Sequence, residues 1–225
     1  MNMVGHPELI VMLTHKDQTV ENASEIFAMC KDTPVKYWGF KEKGIPLTEM
    51  KTLCKTMKCA GKTTVLEVVA YTEDACMDGA KMAADCGFDI LMGTLFYDSV
   101  NQLCHEKNIL YMPFVGQVSG RPSVLQGTPE SMIAEAEKCL KKGVAGIDLL
   151  GYRYVGNATA LNQQVTAQVD GPVCLAGSVD SYEKLDQVKR SGAWAFTIGS
   201  AFFENKFGEG FPQQIENVCR YLNQD

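Results

Sequence analysis

The chain has 225 residues, 46% of them hydrophobic, and a formal charge of −6 with no cluster of Lys and Arg. That is enough apolar mass for one large core, while an acidic chain without a basic patch lacks the electrostatic footprint of a nucleic-acid or anionic-membrane binder. No run reaches the roughly 18 apolar residues of a membrane helix, and Met1 to Pro7 shows no signal-peptide pattern. The expectation is one domain over 1–225, in the cytoplasm.

Strand-like apolar runs begin near Leu9, Val35, Thr63, Phe88, Ile109, Val144, Val173 and Ala193. Between them lie segments with helical spacing: Val20, Ala23, Ile26, Phe27 and Cys30; Met50, Leu53 and Met57; Met132, Ile133, Ala136 and Leu140; Leu185 and Val188. Thr72 before Glu73-Asp74, Thr128 before Pro129-Glu130, and Asp180 with Glu183 read as capped helix starts. Gly61, Gly87, Gly143 and Gly192 each precede a new strand, where a helix end wants a residue tolerant of positive φ. The nine cysteines form no CxxC and no zinc-spaced cluster; Cys30, Cys54, Cys76 and Cys139 fall on apolar helix stripes and read as reduced core residues. His105, beside Cys104, reads as part of an outer helix.

Eight alternating strand and helix units in this length predict an α/β fold, a single-domain (β/α)8 TIM barrel, because closing the sheet removes its edges. A doubly wound open sheet is the runner-up. It would carry a glycine-rich turn after the first strand, where this chain has Leu13-Thr14-His15-Lys16-Asp17. Pro113 cannot donate to a ladder, so the fifth strand is expected to end near Met112.

Charge inside barrel strands is costly unless it serves the mouth. Placing Trp38 and Phe40 under the helices turns Tyr37, Gly39 and Lys41 inward, with Lys41 at the C-terminal rim; Glu67 and Asp148 sit likewise among apolar neighbours on strands three and six. Lys41, Glu67 and Asp148 form a candidate catalytic acid/base set. The plainer readings are a structural ion pair between strands, or a lysine pointing into solvent. His15 and Asp17, just past the first strand, are candidate substrate contacts, although Asp17 could equally start a helix. The long segment from Gly116 to Gly127 reads as a lid carrying Arg121, and Arg153, between Tyr152 and Tyr154, is a second candidate for an anionic group; either arginine could instead be solvated. Lys184, Lys189 and Arg190 read as a solvated helix face.

Strands seven and eight each run into a Gly-Ser pair, Gly177-Ser178 and Gly199-Ser200, the second opening a short helix at Ala201. Glycine lets a ligand approach the backbone, and free N–H groups at a helix start favour an anion. These segments, Ala176-Gly177-Ser178 and Ile198-Gly199-Ser200-Ala201, resemble the phosphate site of the ribulose-phosphate-binding group of TIM barrels, which includes phosphosugar isomerases of histidine and tryptophan biosynthesis and N-acetylmannosamine-6-phosphate 2-epimerase. The resemblance covers about the last fifty residues as motif. It implies a substrate phosphate held by Gly177, Ser178, Gly199, Ser200 and Ala201. It does not carry the reaction over, because the paired aspartates of strands one and five, the Asp-x-Lys of strand three and a Schiff-base lysine on strand six are not matched; strand six has Asp148-Leu149-Leu150.

The resulting expectation is a phosphosugar isomerase or epimerase acting by proton transfer next to a carbonyl, with Glu67 or Asp148 as base and Lys41 stabilising the enolate. A Schiff-base aldolase or lyase using Lys41, or a non-catalytic sensor of a phosphorylated metabolite, are the alternatives. The partner expected is a small phosphorylated metabolite, with no nucleic acid and no membrane. No cofactor is expected, since no His, Asp and Glu set has ligand spacing; a Mg²⁺ between Glu67, Asp148 and a substrate phosphate is the arrangement left open. Phe202 and Phe203 leave packing within the chain or against a second copy, as a homo-oligomer, undecided.

Overall fold

The computed structural model describes residues 6–224, so most of the stretch Met1 to Pro7 lies outside the described residues. Eight parallel strands form the sheet: β1 (Glu8–Met12), β2 (Tyr37–Lys41), β3 (Thr63–Val68), β4 (Ile90–Gly93), β5 (Leu110–Met112), β6 (Ile147–Leu149), β7 (Val173–Leu175) and β8 (Ala195–Ile198). They neighbour one another in the order β6-β7-β8-β1-β2-β3-β4-β5, and a parallel bridge between Phe114 and Asp148 joins the two ends. The barrel expected from the repeat is therefore the barrel observed. Pro113 does end β5 after Met112, but its carbonyl still accepts from the Asp148 N–H at 3.0 Å, which helps to close the ring.

Helices follow the strands: α1 (Ala23–Cys30), α2 (Leu47–Cys59), α3 (Glu73–Cys86), α4 (Asp98–Glu106), α5 (Pro129–Lys141), α6 (Ala158–Gln168), α7 (Tyr182–Ser191), the single turn α8 (Ser200–Phe203) and α9 (Phe211–Leu222). The period-two alternation of the strands divides the apolar residues into two cores. Ile10, Met12, Tyr37, Val65, Ile90, Met92, Met112 and Cys174 fill the barrel, while Trp38, Phe40 and Leu66 pack outward under the helices. Trp38 meets Phe27 of α1 edge-on at 5.2 Å between ring centres.

The four strand-preceding glycines have φ of +76° to +86°, as a helix end requires. Thr128 caps α5, its hydroxyl accepting the Ser131 N–H at 3.2 Å. Two caps differ from the sequence reading. The Thr72 side chain makes no cap bond to α3, and α7 is capped by Ser181, whose hydroxyl accepts the Lys184 N–H at 3.3 Å. Asp180, one residue too early to cap, instead pairs with the Lys184 ammonium at 2.9 Å. The Gly116–Gly127 segment is an antiparallel ribbon, Gln117–Ser119 against Val124–Gln126, rather than an unpaired loop. Cys30, Cys54, Cys76 and Cys139 are buried free thiols. Phe202 is buried against Phe207 and Phe211, and Phe203 packs on Phe211, so both join the chain's own core. No described helix is long and apolar enough to cross a membrane.

Candidate active site

Lys41 ends β2 and stands in register with Glu67 of β3, both on the inward face. The chain after β1 folds into a small ribbon, Thr14–His15 against Gln18–Thr19. Thr19 stitches that ribbon to the rim: its hydroxyl donates to the Lys41 carbonyl at 2.8 Å and accepts the Lys41 N–H at 3.0 Å. The turn residues Lys16 and Asp17 have φ of +48° and +64°. A two-residue turn of this kind favours Asn-Gly, and each non-glycine residue in the left-handed region costs about 1–2 kcal/mol. The turn therefore carries side chains at a conformational cost, and both reach the mouth of the barrel.

The Lys41 ammonium donates to an Asp17 carboxylate oxygen and lies 3.6 Å from Glu67 Oε1. Burial alone would lower the pKa of Lys41, but the charge of Glu67, then the hydrogen bond and charge of Asp17, then Glu42, outweigh it and the net shift is upward. Lys41 is held as a cation. Burial raises Glu67 above the ordinary carboxylate range against the opposing pull of Lys41, which moves it toward the range of a general base. Asp148 lies beneath them, fully buried, with neither carboxylate oxygen hydrogen-bonded among the described residues. Burial first and the Glu67 charge second push it well upward, toward a neutral acid.

Above Lys41 and Glu67 opens a cavity of about 810 Å³, within the range of small-molecule sites. Asp17, Arg121, Arg153, Gly177, Ser178, Gly199, Ser200 and Ala201 line it together with Lys41 and Glu67. Asp148 does not. His15 does not either. Its ring packs on Phe203 at 5.5 Å and lines a second cavity of about 530 Å³, which shares Lys16 and Gln18 with the first.

The two Gly-Ser pairs form one wall of the main cavity. Gly177 (φ +101°) and Ser178 (φ +94°) both sit in the region that favours glycine, and the N–H groups of Gly177, Ser178 and Gly199 donate to no backbone acceptor among the described residues. Ser200 and Ala201 begin α8, where N–H groups have no intrahelical partner. A Cβ on Gly177 would stand 2.7 Å from Arg153 Cγ, so the arginine packs directly on this loop. Lys184, read from sequence as solvated, braces the loop by donating to the Ser178 carbonyl at 2.7 Å.

Arg121 is not a free loop arginine. It spans the mouth, pairing with Glu42 at 2.9 Å and Asp17 at 3.5 Å and donating to the Val69 carbonyl, while the Tyr71 hydroxyl donates to the Gly120 carbonyl at 2.9 Å. The ribbon is thus tied down over the β1–β3 side. Glu42, Lys16, Lys43 and Lys184 were not among the sequence candidates. Their signal was position alone, within a few residues of a strand's C-terminal end.

No family model matches the chain, and no curated protein matches it. Solved structures do. The native KDPGal structure superposes with a TM-score of 0.70 at 13% identity, over 95% of this chain and 93% of that one. A mutant tryptophan synthase α-subunit from Pyrococcus furiosus gives 0.69 at 13% over 98% and 99%. The N-acetylmannosamine-6-phosphate 2-epimerase from Clostridium perfringens gives 0.64 at 14% over 96% and 93%. The likeness is one of fold, a (β/α)8 barrel. At these identities the likeness speaks for the fold, and the site must speak for the chemistry.

Proposed function

We propose that the barrel mouth is the active site of an isomerase or epimerase that moves a proton next to a carbonyl on a small phosphorylated sugar-type substrate. The observation that carries this is the Lys41 ammonium 3.6 Å from Glu67 Oε1 on the floor of a cavity whose wall is the N–H cradle of Gly177, Ser178, Gly199, Ser200 and Ala201. The cradle and Arg153 hold the phosphate. Glu67, its pKa raised by burial, takes the proton from the carbon beside the carbonyl, and the fixed charge of Lys41 stabilises the oxyanion that forms. Asp17 orients Lys41 and is itself fixed by the Thr19-stitched ribbon. Arg121 closes the β1–β3 side against water.

The Schiff-base lyase reading has one observation in its favour, a lysine buried on a cavity floor. The upward shift of Lys41 works against it, since an amine nucleophile must be neutral. A panel of ketose and aldose phosphates in D₂O, followed by NMR, tests the proposal. Wild type should place deuterium on the carbon beside the carbonyl, and Glu67→Gln should slow this by roughly 10²–10⁴-fold. Exchange by Glu67→Gln at the wild-type rate would refute the assignment. A borohydride-trapped adduct on Lys41 would establish the lyase instead, and binding without any turnover would make the protein a sensor.

A further inference from the structure

The charges around the mouth do not all find partners. Lys41 and Arg121 engage Asp17, Glu67 and Glu42, Lys184 engages Asp180, and Lys206 stands 3.8 Å from Glu204. Among the described residues, three cations that line the cavity form no ion pair: Lys16, Lys43 and Arg153. Cations without an ion pair occur elsewhere on the surface too; these three differ in lining one cavity together.

Their placement divides them. Arg153 packs on Gly177 and belongs to the cradle. Lys16 and Lys43 belong to the other side, after β1 and β2, and are held as one unit: the Thr19 N–H donates to the Lys43 carbonyl at 2.8 Å, and Lys16 is fixed in the left-handed turn of the same ribbon. Around the ring, the midpoint of β7 and β8 is two strands from the midpoint of β1 and β2. At 4.7–4.9 Å per strand spacing that is about 10 Å, the span of a five- or six-carbon chain with a charged group at each end rather than of one phosphate.

Resting on the phosphate-cradle reading above, we infer that the ligand carries an anionic group at each end: a phosphate in the cradle beside Arg153, and a second group, carboxylate or phosphate, at Lys16 and Lys43. A ligand so stretched crosses the β8–β1 side of the mouth and brings its second anionic end to the rim beside Lys41 of β2. Its two ends make the site selective for acid phosphates or bisphosphates over simple sugar phosphates.

Titration calorimetry at roughly 0.15 M salt tests this with matched probes: 6-phosphogluconate against sorbitol 6-phosphate, and fructose 1,6-bisphosphate against fructose 6-phosphate, with inorganic phosphate as reference. At least one two-ended probe should bind roughly ten-fold tighter than its one-ended partner, and the pair that shows the gain names the second group as carboxylate or phosphate. A Lys16→Asn, Lys43→Ala double variant should lose that gain while binding the one-ended probes as wild type does; asparagine is chosen because it tolerates the positive φ. Arg153→Ala should weaken both kinds of probe. Equal binding of both members of each pair, a gain that survives the double variant, or a double variant that weakens the one-ended probes would each overturn the inference while leaving the cradle intact. Absence of binding by inorganic phosphate and every one-ended probe would refute the cradle itself.

Discussion

Asp148→Asn offers a direct look at the electrostatics of the barrel floor. The carboxyl is fully buried, neither oxygen has a hydrogen-bond partner among the described residues, and burial, then the charge of Glu67, raise its pKa well above 3.8. The native state therefore keeps a proton that the unfolded chain releases near pH 4. More protons bound in the native state means that stability falls as pH rises through this window, by about 1.4 kcal/mol per unit until the native pKa is passed. The Asp148→Asn protein lacks this slope. Its unpaired amide adds an offset, but one that does not change with pH, and Glu67 titrates in both proteins. Above about pH 4 wild type should therefore lose stability relative to the variant as pH rises, until the native carboxyl ionises. For a chain of this size each kcal/mol of that loss corresponds to roughly 2–4 °C in the difference between their Tm values. Thermal or urea unfolding at three pH values measures it. Parallel stability profiles for the two proteins would show that Asp148 is ionised in the native state and refute the reasoning.

Gly177→Ala should both strain the loop (φ +101°) and push Arg153, whose Cγ would lie 2.7 Å from the new methyl; phosphate-induced stabilisation should disappear while Tm falls by only a few degrees, about 1–2 kcal/mol of left-handed strain. Arg121→Ala should release the Gln117–Gln126 ribbon, seen as faster proteinase K cleavage between residues 117 and 126, yet cost less than about 1 kcal/mol in urea unfolding because its ion pairs are partly solvated, with the arginine side chain 35% exposed; unchanged cleavage would mean that Tyr71 alone holds the ribbon. Gly79→Ala on α3 should lower thermal stability even though alanine favours helix, because the added methyl would stand 2.4 Å from Val68 Cγ1; overpacking of about 1–3 kcal/mol exceeds the helix gain of about 0.5–1 kcal/mol, and a more stable variant would contradict it.

The fold was readable because its signals repeat. Each strand is a short apolar run, four helix ends carry a glycine at positive φ, and the alternation of Tyr37, Trp38, Gly39, Phe40 and Lys41 already assigns Trp38 and Phe40 to the outer core. The same alternation puts both Lys41 and Glu67 on the inward face, where they stand in register. What the sequence left hidden depends on depth and on pairing between loops. Asp148 shares the inward face with Glu67 but sits lower, and periodicity gives a face without a height. His15 lies one residue from Lys16 and two from Asp17, yet the tight turn sends it against Phe203. Arg121 and Glu42 are far apart in the chain, and only the tertiary structure shows them joined. Asp180 against Ser181 as the cap of α7 is a one-residue ambiguity that side-chain chemistry alone does not resolve, since both residue types cap well.

The claim on which the rest depends is that the Gly177-Ser178 and Gly199-Ser200 wall binds phosphate. Its most direct test is the thermal unfolding of wild type and of Ser200→Asp with and without inorganic phosphate and sugar phosphates. Ligand at about 100 times its Kd adds about 2.7 kcal/mol, which for this chain is roughly 5–11 °C; wild type should show such a rise with at least one phosphorylated compound, and Ser200→Asp, with a carboxylate in the cradle, should show none. Equal responses from the two proteins, or no response from either, would contradict the account.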